Sequence, residues 1–227
     1  MTQKTSPRSL IRRSFLLILS LVLVLSASAC STDKTVIDSA AIAKKIGSED
    51  LYGYRVASAP TNTYAVVMKS GGAILIEMDA KSAPITVAHI KSLVGKAFYD
   101  GLLFHRVVHD FVIQTGSPNG DGTGGSGKAI KGEFSKNGVN NPIKHAKYVV
   151  SMGRLSGDDK AAYNSADSQF FICLADESAT LDGSYAAFGK VVAGFAVVDR
   201  VGKVDTAGKD GKPIVEQPIL SAFFVEK

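Results

Sequence analysis

The chain has 227 residues, 45% apolar and 21% charged, with 22 Gly and 7 Pro; this is ordinary globular composition and excludes disorder, collagen and disulfide-rich miniature scaffolds. Its formal charge of +5 is unevenly placed: Lys4, Arg8, Arg12 and Arg13 stand in residues 1–29 with no acid, and the 22 basic residues left of the 26 meet 21 acidic ones. A nearly neutral remainder with no Trp and no basic block carries no electrostatic footprint for nucleic acid.

The chain opens on a basic stretch, then eleven mostly apolar residues from Phe15 to Leu25, then small residues ending in Ala27-Ser28-Ala29-Cys30. This is the pattern of a secretory signal over residues 1–29. The apolar run is too short for a membrane crossing, which takes about 20 residues. Cys30 after small residues resembles a bacterial lipobox, although Ala27 stands where Leu is usual. That resemblance implies a diacylated Cys30 at the head of the mature chain, holding it to the extracytoplasmic face of a bacterial membrane by lipid alone. Ordinary cleavage after Ala29, leaving a free thiol, is the alternative. Arg12-Arg13-Ser14-Phe15-Leu16 also resembles a twin-arginine export signal, but Ile11 before the pair and the strongly apolar core fit the general secretory route better. The only other cysteine, Cys173, lies in the apolar run Phe170 to Leu174 and reads as a buried small hydrophobe.

Residues 30–62 are polar and small, with one mildly amphipathic stretch, Val36 to Ile46, suited to a short helix; they read as a tether without chemistry. Residues 63–227 read as the folded domain. Tyr64 to Met68 and Ala73 to Met78 flank Gly71-Gly72 and predict a hairpin. Pro84, Ile85, Val87, Ala88, Ile90, Leu93 and Val94, closed by Gly95, predict a helix with a proline start and a glycine stop. Further strands are predicted at Leu103 to Val108, Phe111 to Gln114, Tyr148 to Met152, Gln169 to Leu174, Ala186 to Val191 and Ile219 to Val225, with a second helix over Gly194 to Val201. Many short strands and only two helices imply a mainly β fold, a closed antiparallel barrel or a sandwich.

Several motifs imitate chemistry that their context denies. The run Gly122-Thr123-Gly124-Gly125-Ser126-Gly127-Lys128-Ala129 nearly spells a phosphate-binding loop, but Ala129 stands where a magnesium-binding hydroxyl is needed and no helical period follows. Gly120, Gly122 and Gly125 match a dinucleotide pattern without its strand-helix crossover. These glycines instead suit a backbone lying close to an extended ligand. His105 and His109 would share a metal on a helix, but on a strand four residues separate them by roughly 13 Å, too far for one ion. No Gly-x-Ser-x-Gly elbow supports a hydrolase.

The segment Phe104-His105-Arg106-Val107-Val108-His109-Asp110-Phe111-Val112-Ile113-Gln114-Thr115-Gly116 remains. Taken with Phe98-Tyr99-Asp100-Gly101, Gly122-Thr123-Gly124-Gly125, Ser168-Gln169-Phe170-Phe171-Ile172, Leu181-Asp182-Gly183 and Phe188-Gly189-Lys190-Val191, it resembles the cyclophilins, the motifs falling in that family's order over nearly all of residues 63–227. The resemblance implies a closed eight-stranded antiparallel barrel capped by two helices, and peptidyl-prolyl cis-trans isomerisation with no cofactor, no metal and no covalent intermediate. Its partners would be Pro-containing unfolded or exported polypeptides, and a monomer is the default.

The family match gives Arg106 the role of donor to the prolyl nitrogen and Gln114 that of orienting Arg106 and meeting the peptide near its carbonyl. It places Phe111, Val112, Phe171 and Leu181 around the proline ring, and Gly153-Arg154 backbone, Gln169 and Thr123 along the residues before it. Tyr185, where eukaryotic members commonly have His, would wall the pocket. Strand alternation puts Gln169 with Phe171 and Val112 with Gln114, whereas Phe111 has the opposite parity and needs a bend. Thr180 replaces a Trp of cyclosporin-sensitive members, which implies weak drug binding; Arg154 replaces the usual Asn; Leu155 to Asn164 is longer and more polar than expected. A catalytically weak, membrane-anchored binder of Pro-containing segments is the competing reading, and the joint presence of Arg106, Gln114 and Phe171 favours the enzyme.

Overall fold

The computed structural model describes residues 38–227, so the signal-peptide and Cys30 expectations lie outside the described residues. In chain order the first elements are α1 (Ser39–Ile46), β1 (Arg55–Val56), β2 (Thr63–Met68), β3 (Ala73–Met78), α2 (Pro84–Gly95), β4 (Arg106–Val108) and β5 (Val112–Thr115). There follow β6 (Val149–Met152), α3 (Lys160–Tyr163), β7 (Phe170–Cys173), α4 (Ser178–Leu181), β8 (Ala187–Ala193), α5 (Phe195–Val201), β9 (Thr206–Ala207), β10 (Lys212–Pro213) and β11 (Ile219–Glu226).

The hairpin forms as its sequence predicts, with Tyr64 opposite Ile76 and Val66 opposite Ile74. Alternation then divides its apolar residues between two faces. Tyr64, Val66, Met68, Ile74 and Ile76 point into the main core with Phe104, Phe134, Phe170 and Phe188. Ala65, Val67, Ala73 and Leu75 point the other way. Helix α2 begins at Pro84 and buries Val87, Ile90, Leu93 and Val94 in the main core. Its N-cap, Ala83, has no capping side chain. The buried Glu133 supplies the acceptors instead, taking Ile85 N–H at 3.0 Å, Thr86 N–H at 2.8 Å and the Thr86 hydroxyl at 2.7 Å.

The closed eight-stranded barrel is corrected to one nine-stranded antiparallel sheet in the order β1-β11-β2-β3-β8-β6-β7-β5-β4, beside a separate β9-β10 pair. Among the described residues, no ladder joins β4 back to the other end. The reason lies at the outer edge of β4, where Val107 N–H donates to Gly211 O at 2.7 Å, so the β9-β10 turn occupies that edge. The two ends are stitched earlier, by a bridge between Leu103 and Pro218 and by Ile219 N–H to Leu102 O at 2.8 Å. The two helices expected in the folded domain are α2 and α5, α1 falls within the Val36 to Ile46 stretch suited to a short helix, and α3 and α4 are additional.

The stretch expected to be a tether is packed from α1 onward. Asp38 caps α1 by accepting Ala41 N–H at 2.9 Å, and Lys45 on its last turn pairs with Asp100 at 2.6 Å. β1 then adds to β11, Arg55 opposite Glu226. Ile46 and Leu51, with Ile42, Tyr54 and Val56 at the margin, cover the second face of the sheet formed by Ala65, Val67, Leu75, Phe223 and Val225. Burial of that face is what holds the segment down. Leu51→Ala is therefore expected to cost about 2 kcal/mol, read as a lowered urea midpoint; an unchanged midpoint would return residues 38–62 to the status of a tether.

Candidate active site

The site grows from the alternation of β4, β5 and β7. Arg106 faces Gln114 across β4-β5, and Gln114 faces Phe171 across β5-β7. Val107, Ile113, Phe170 and Ile172 point into the main core. Their neighbours therefore emerge on the opposite face, where Val112, Phe171, Cys173 and Leu181 form an apolar cluster flanked by Phe111 and Tyr185. The parity problem of Phe111 is solved by the turn before β5: Asp110 adopts φ 56°, and Phe111 N–H donates to Val108 O at 3.1 Å. Phe111 thus lies in the turn, free of the strand's alternation.

A cleft of about 490 Å³ opens over this cluster, lined by Arg106, Phe111, Val112, Gln114, Gly153, Arg154, Phe171, Leu181 and Tyr185. A second cleft of about 360 Å³ adjoins it and contains Thr123, Gln169, Gly153, Arg154 and Gln114. All the expected site residues other than Cys30 therefore border one of two neighbouring clefts, with Thr123 and Gln169 in the second. The Thr123 hydroxyl donates to Asp121 at 2.6 Å and accepts from Asn119 at 3.0 Å. Thr180 is exposed on α4 and borders neither cleft.

A directed line of hydrogen bonds crosses the floor. Arg106 Nη1 donates to Gln114 Oε1 at 3.4 Å, and Gln114 Nε2 donates to Gln169 Oε1 at 2.9 Å. Gln169 Nε2 donates to Gly122 O at 2.9 Å and Gly124 O at 3.2 Å. Gly153 lies over the two glutamines, and a Cβ there would meet Gln169 Cβ at 3.3 Å and Gln114 Nε2 at 3.4 Å. Its N–H donates to Gln169 O at 2.8 Å.

The far wall joins two expected residues, Arg154 and Tyr185, to partners that the sequence did not point to. The Arg154 guanidinium stacks on Tyr185, Tyr163 and Phe134 at 4.8, 5.2 and 5.6 Å and donates to the carbonyls of Ser184, Leu155 and Gly157. It thereby organises the long Leu155–Asn164 segment, whose last part is α3. Behind Phe171 the His145 ring stacks at 6.2 Å, while Tyr185 meets Phe171 edge-on at 5.7 Å. His145 Nδ1 contacts Asp182 at 2.9 Å, and Nε2 contacts the Ser151 hydroxyl at 3.0 Å. With Asp182 ionised, Nδ1 carries the proton and Ser151 donates to Nε2. Ser151 is fully buried, so this line is a brace. Its members are scattered over three segments, which is why no local motif reveals it. His105, Asp121, Ser156, Asp210 and Lys212 also border the larger cleft. The adjacency of His105 to Arg106 is the one signal that could have found any of them.

Burial works against the Asp182 carboxylate, but hydrogen bonds from His145 and Lys144 outweigh it and hold the group below its ordinary range. Burial depresses His145, against the pull of Asp182, and likewise depresses His105 and His89. Burial also pushes the Cys173 thiol up to about 12, in keeping with a packed hydrophobe.

The family model for "Cyclophilin type peptidyl-prolyl cis-trans isomerase/CLD" matches residues 64–223. A peptidyl-prolyl cis-trans isomerase of Arabidopsis thaliana is 38% identical over 158 residues, covering 69% of this chain and 90% of the relative. One from Helicobacter pylori is 38% identical over 144 residues, covering 63% and 82%. The crystal structure of a cyclophilin-type isomerase from Cryptosporidium parvum, 24% identical, superposes with a TM-score of 0.64 over 73% of this chain and 98% of its own.

The depressed histidines fix a direction for pH dependence. The unfolded chain, with histidines near 6.5, takes up protons before the folded one does, so their contribution to stability is complete above that value and is lost as pH falls through the folded values. Urea midpoints are expected to fall between about pH 7 and pH 5 and to fall less in His145→Gln; equal slopes for both proteins would contradict the assignment.

Proposed function

The chain belongs to the cyclophilin family and is a peptidyl-prolyl cis-trans isomerase, and from that premise we propose that Arg106 drives the reaction by donating a hydrogen bond to the prolyl nitrogen. The X-Pro amide is planar, and its rotation meets a barrier near 20 kcal/mol because resonance is lost. In the twisted amide the nitrogen turns pyramidal and offers a lone pair that the planar form withholds. A donor held at that nitrogen stabilises the transition state and leaves the ground state alone, which is the condition for raising the rate. The guanidinium suits this task because it is always charged, and its several donors let one N–H serve Gln114 while another faces the substrate. A barrier lowered by about 7 kcal/mol would accelerate exchange roughly 10⁵-fold.

The apolar cluster of Phe111, Val112, Phe171, Leu181 and Tyr185 receives the proline ring in this reading. Gln114 orients Arg106 and meets the peptide near its carbonyl. The residues before proline run past Gln169 and Thr123; since Gly153 N–H is spent on Gln169 O, pairing with them runs through the Gly153 carbonyl and the Arg154 N–H. The observation that carries the proposal is the juxtaposition of the Arg106 guanidinium, held by Gln114, with an apolar cluster on the same open face.

The proposal extends to the cell. Secreted through its N-terminal signal and diacylated at Cys30, the enzyme would act on Pro-containing exported polypeptides at the extracytoplasmic face of a bacterial membrane.

Exchange measurements of X-Pro isomerisation on residues 31–227 should show rapid interconversion that falls at least about tenfold in Arg106→Ala with folding unchanged; background exchange in the folded wild type, or full activity in the variant, would overturn the mechanism. Cys30→Ser is expected to move the protein from the membrane to the soluble fraction, and retention at the membrane would overturn the lipid anchor.

A further inference from the structure

The glycine-rich loop that imitates a phosphate site has three consecutive backbone N–H groups occupied from within the protein. Asp167, at the entrance to β7, turns its carboxylate into them. Oδ1 accepts Ser126 N–H at 3.0 Å and the Ser126 hydroxyl, while Oδ2 accepts Gly127 N–H at 3.0 Å and Lys128 N–H at 3.1 Å. The fit requires Gly125, since a Cβ there would stand 2.5 Å from Oδ2. His89 of α2 closes the back, its Nε2 3.7 Å from Oδ1 and its side chain 4% exposed. Five glycines between 120 and 127 would leave this loop costly to order. An internal carboxylate collecting three N–H groups and a hydroxyl offsets that cost with charge-assisted hydrogen bonds.

The same loop fixes the polarity of the line that ends at Arg106. Gly122 O and Gly124 O can only accept, so Gln169 must turn its Nε2 to them and its Oε1 to Gln114. Gln114 must then present Nε2 to Gln169 and Oε1 to Arg106, which can only donate. Every donor meets an acceptor in one direction only. A loop whose carbonyls wandered would release Gln169 to flip, and the line would lose its direction.

We infer that Asp167 is a positioning residue for the isomerisation, acting through the glycine loop, Gln169 and Gln114 on the orientation of the Arg106 guanidinium. The inference rests on the reading of Arg106 as the group that acts on the prolyl nitrogen. Although Asp167 borders the smaller cleft, both its oxygens are engaged by the loop, so its influence runs through the loop. Its spacing two residues before Gln169 places both ends of the loop clamp on one short piece of chain.

A double-mutant cycle in the intact chain tests this. Asp167→Ala is expected to lower kcat/KM about tenfold by itself, and to change it less than about twofold when Gln169 is already Ala. A residue that merely supports the fold would cost the same factor in both backgrounds, and that result overturns the inference. Asp167→Asn keeps the shape and one acceptor but turns an N–H₂ toward the Gly127 and Lys128 N–H groups, so it should also lose activity, and it decides the matter if the alanine variant does not fold. Full activity in a folded Asp167→Asn, beside an impaired Arg106→Ala, overturns the inference alone. Full activity in Arg106→Ala overturns the reading beneath it.

Discussion

In the proposed mechanism a guanidinium with several donors and no acceptor serves the prolyl nitrogen only if it is held in one orientation, and the floor of the cleft meets that requirement. The nearest acceptor, Gln114 Oε1, lies at 3.4 Å, a long and weak contact by itself. Its orienting power comes from what stands behind it: Gln169 at 2.9 Å, and behind that two loop carbonyls that admit only one orientation of each amide. Such a line is worth more than its separate bonds, because each amide polarises the next and no member can turn alone.

The sheet makes this arrangement possible by using both its faces. Along β5 and β7 one set of side chains fills the main core, and the alternate set builds the cleft. The second face is largely apolar at the other end of the sheet too, along β2, β3 and β11. There α1 and β1 cover it. The same alternation thus gives an open, half-polar face at the proposed substrate cleft and a covered, mostly apolar one where the N-terminal segment packs.

What could be read in advance was what short stretches of chain decide. The proline start and glycine stop of α2, the glycine turn between β2 and β3, and the alternation that unites Gln114 with Val112 and Gln169 with Phe171 all lie within a dozen residues. The packing of residues 38–57 was missed because its apolar residues, Ile42, Ile46, Leu51, Tyr54 and Val56, are sparse and irregularly spaced. The complementary signal was present: β2, β3 and β11 are nearly continuous apolar runs, the pattern of strands buried on both faces. The open order of the sheet depends on which segment reaches the edge of β4 first, and no local motif records that competition. The brace from Ser151 through His145 to Asp182, and the triple stacking of Arg154, were invisible for the same reason, since their members meet only in the fold.

The order of the Arg106 side chain in the free protein is the most direct test of this account. Nitrogen relaxation at Arg106 Nε should give an order parameter near that of rigid backbone, about 0.85, in the wild type, and below about 0.6 in Gln169→Ala, although Gln169 does not touch Arg106. Equal order in both proteins, or a disordered guanidinium in the wild type, would mean that the line of amides does not hold Arg106.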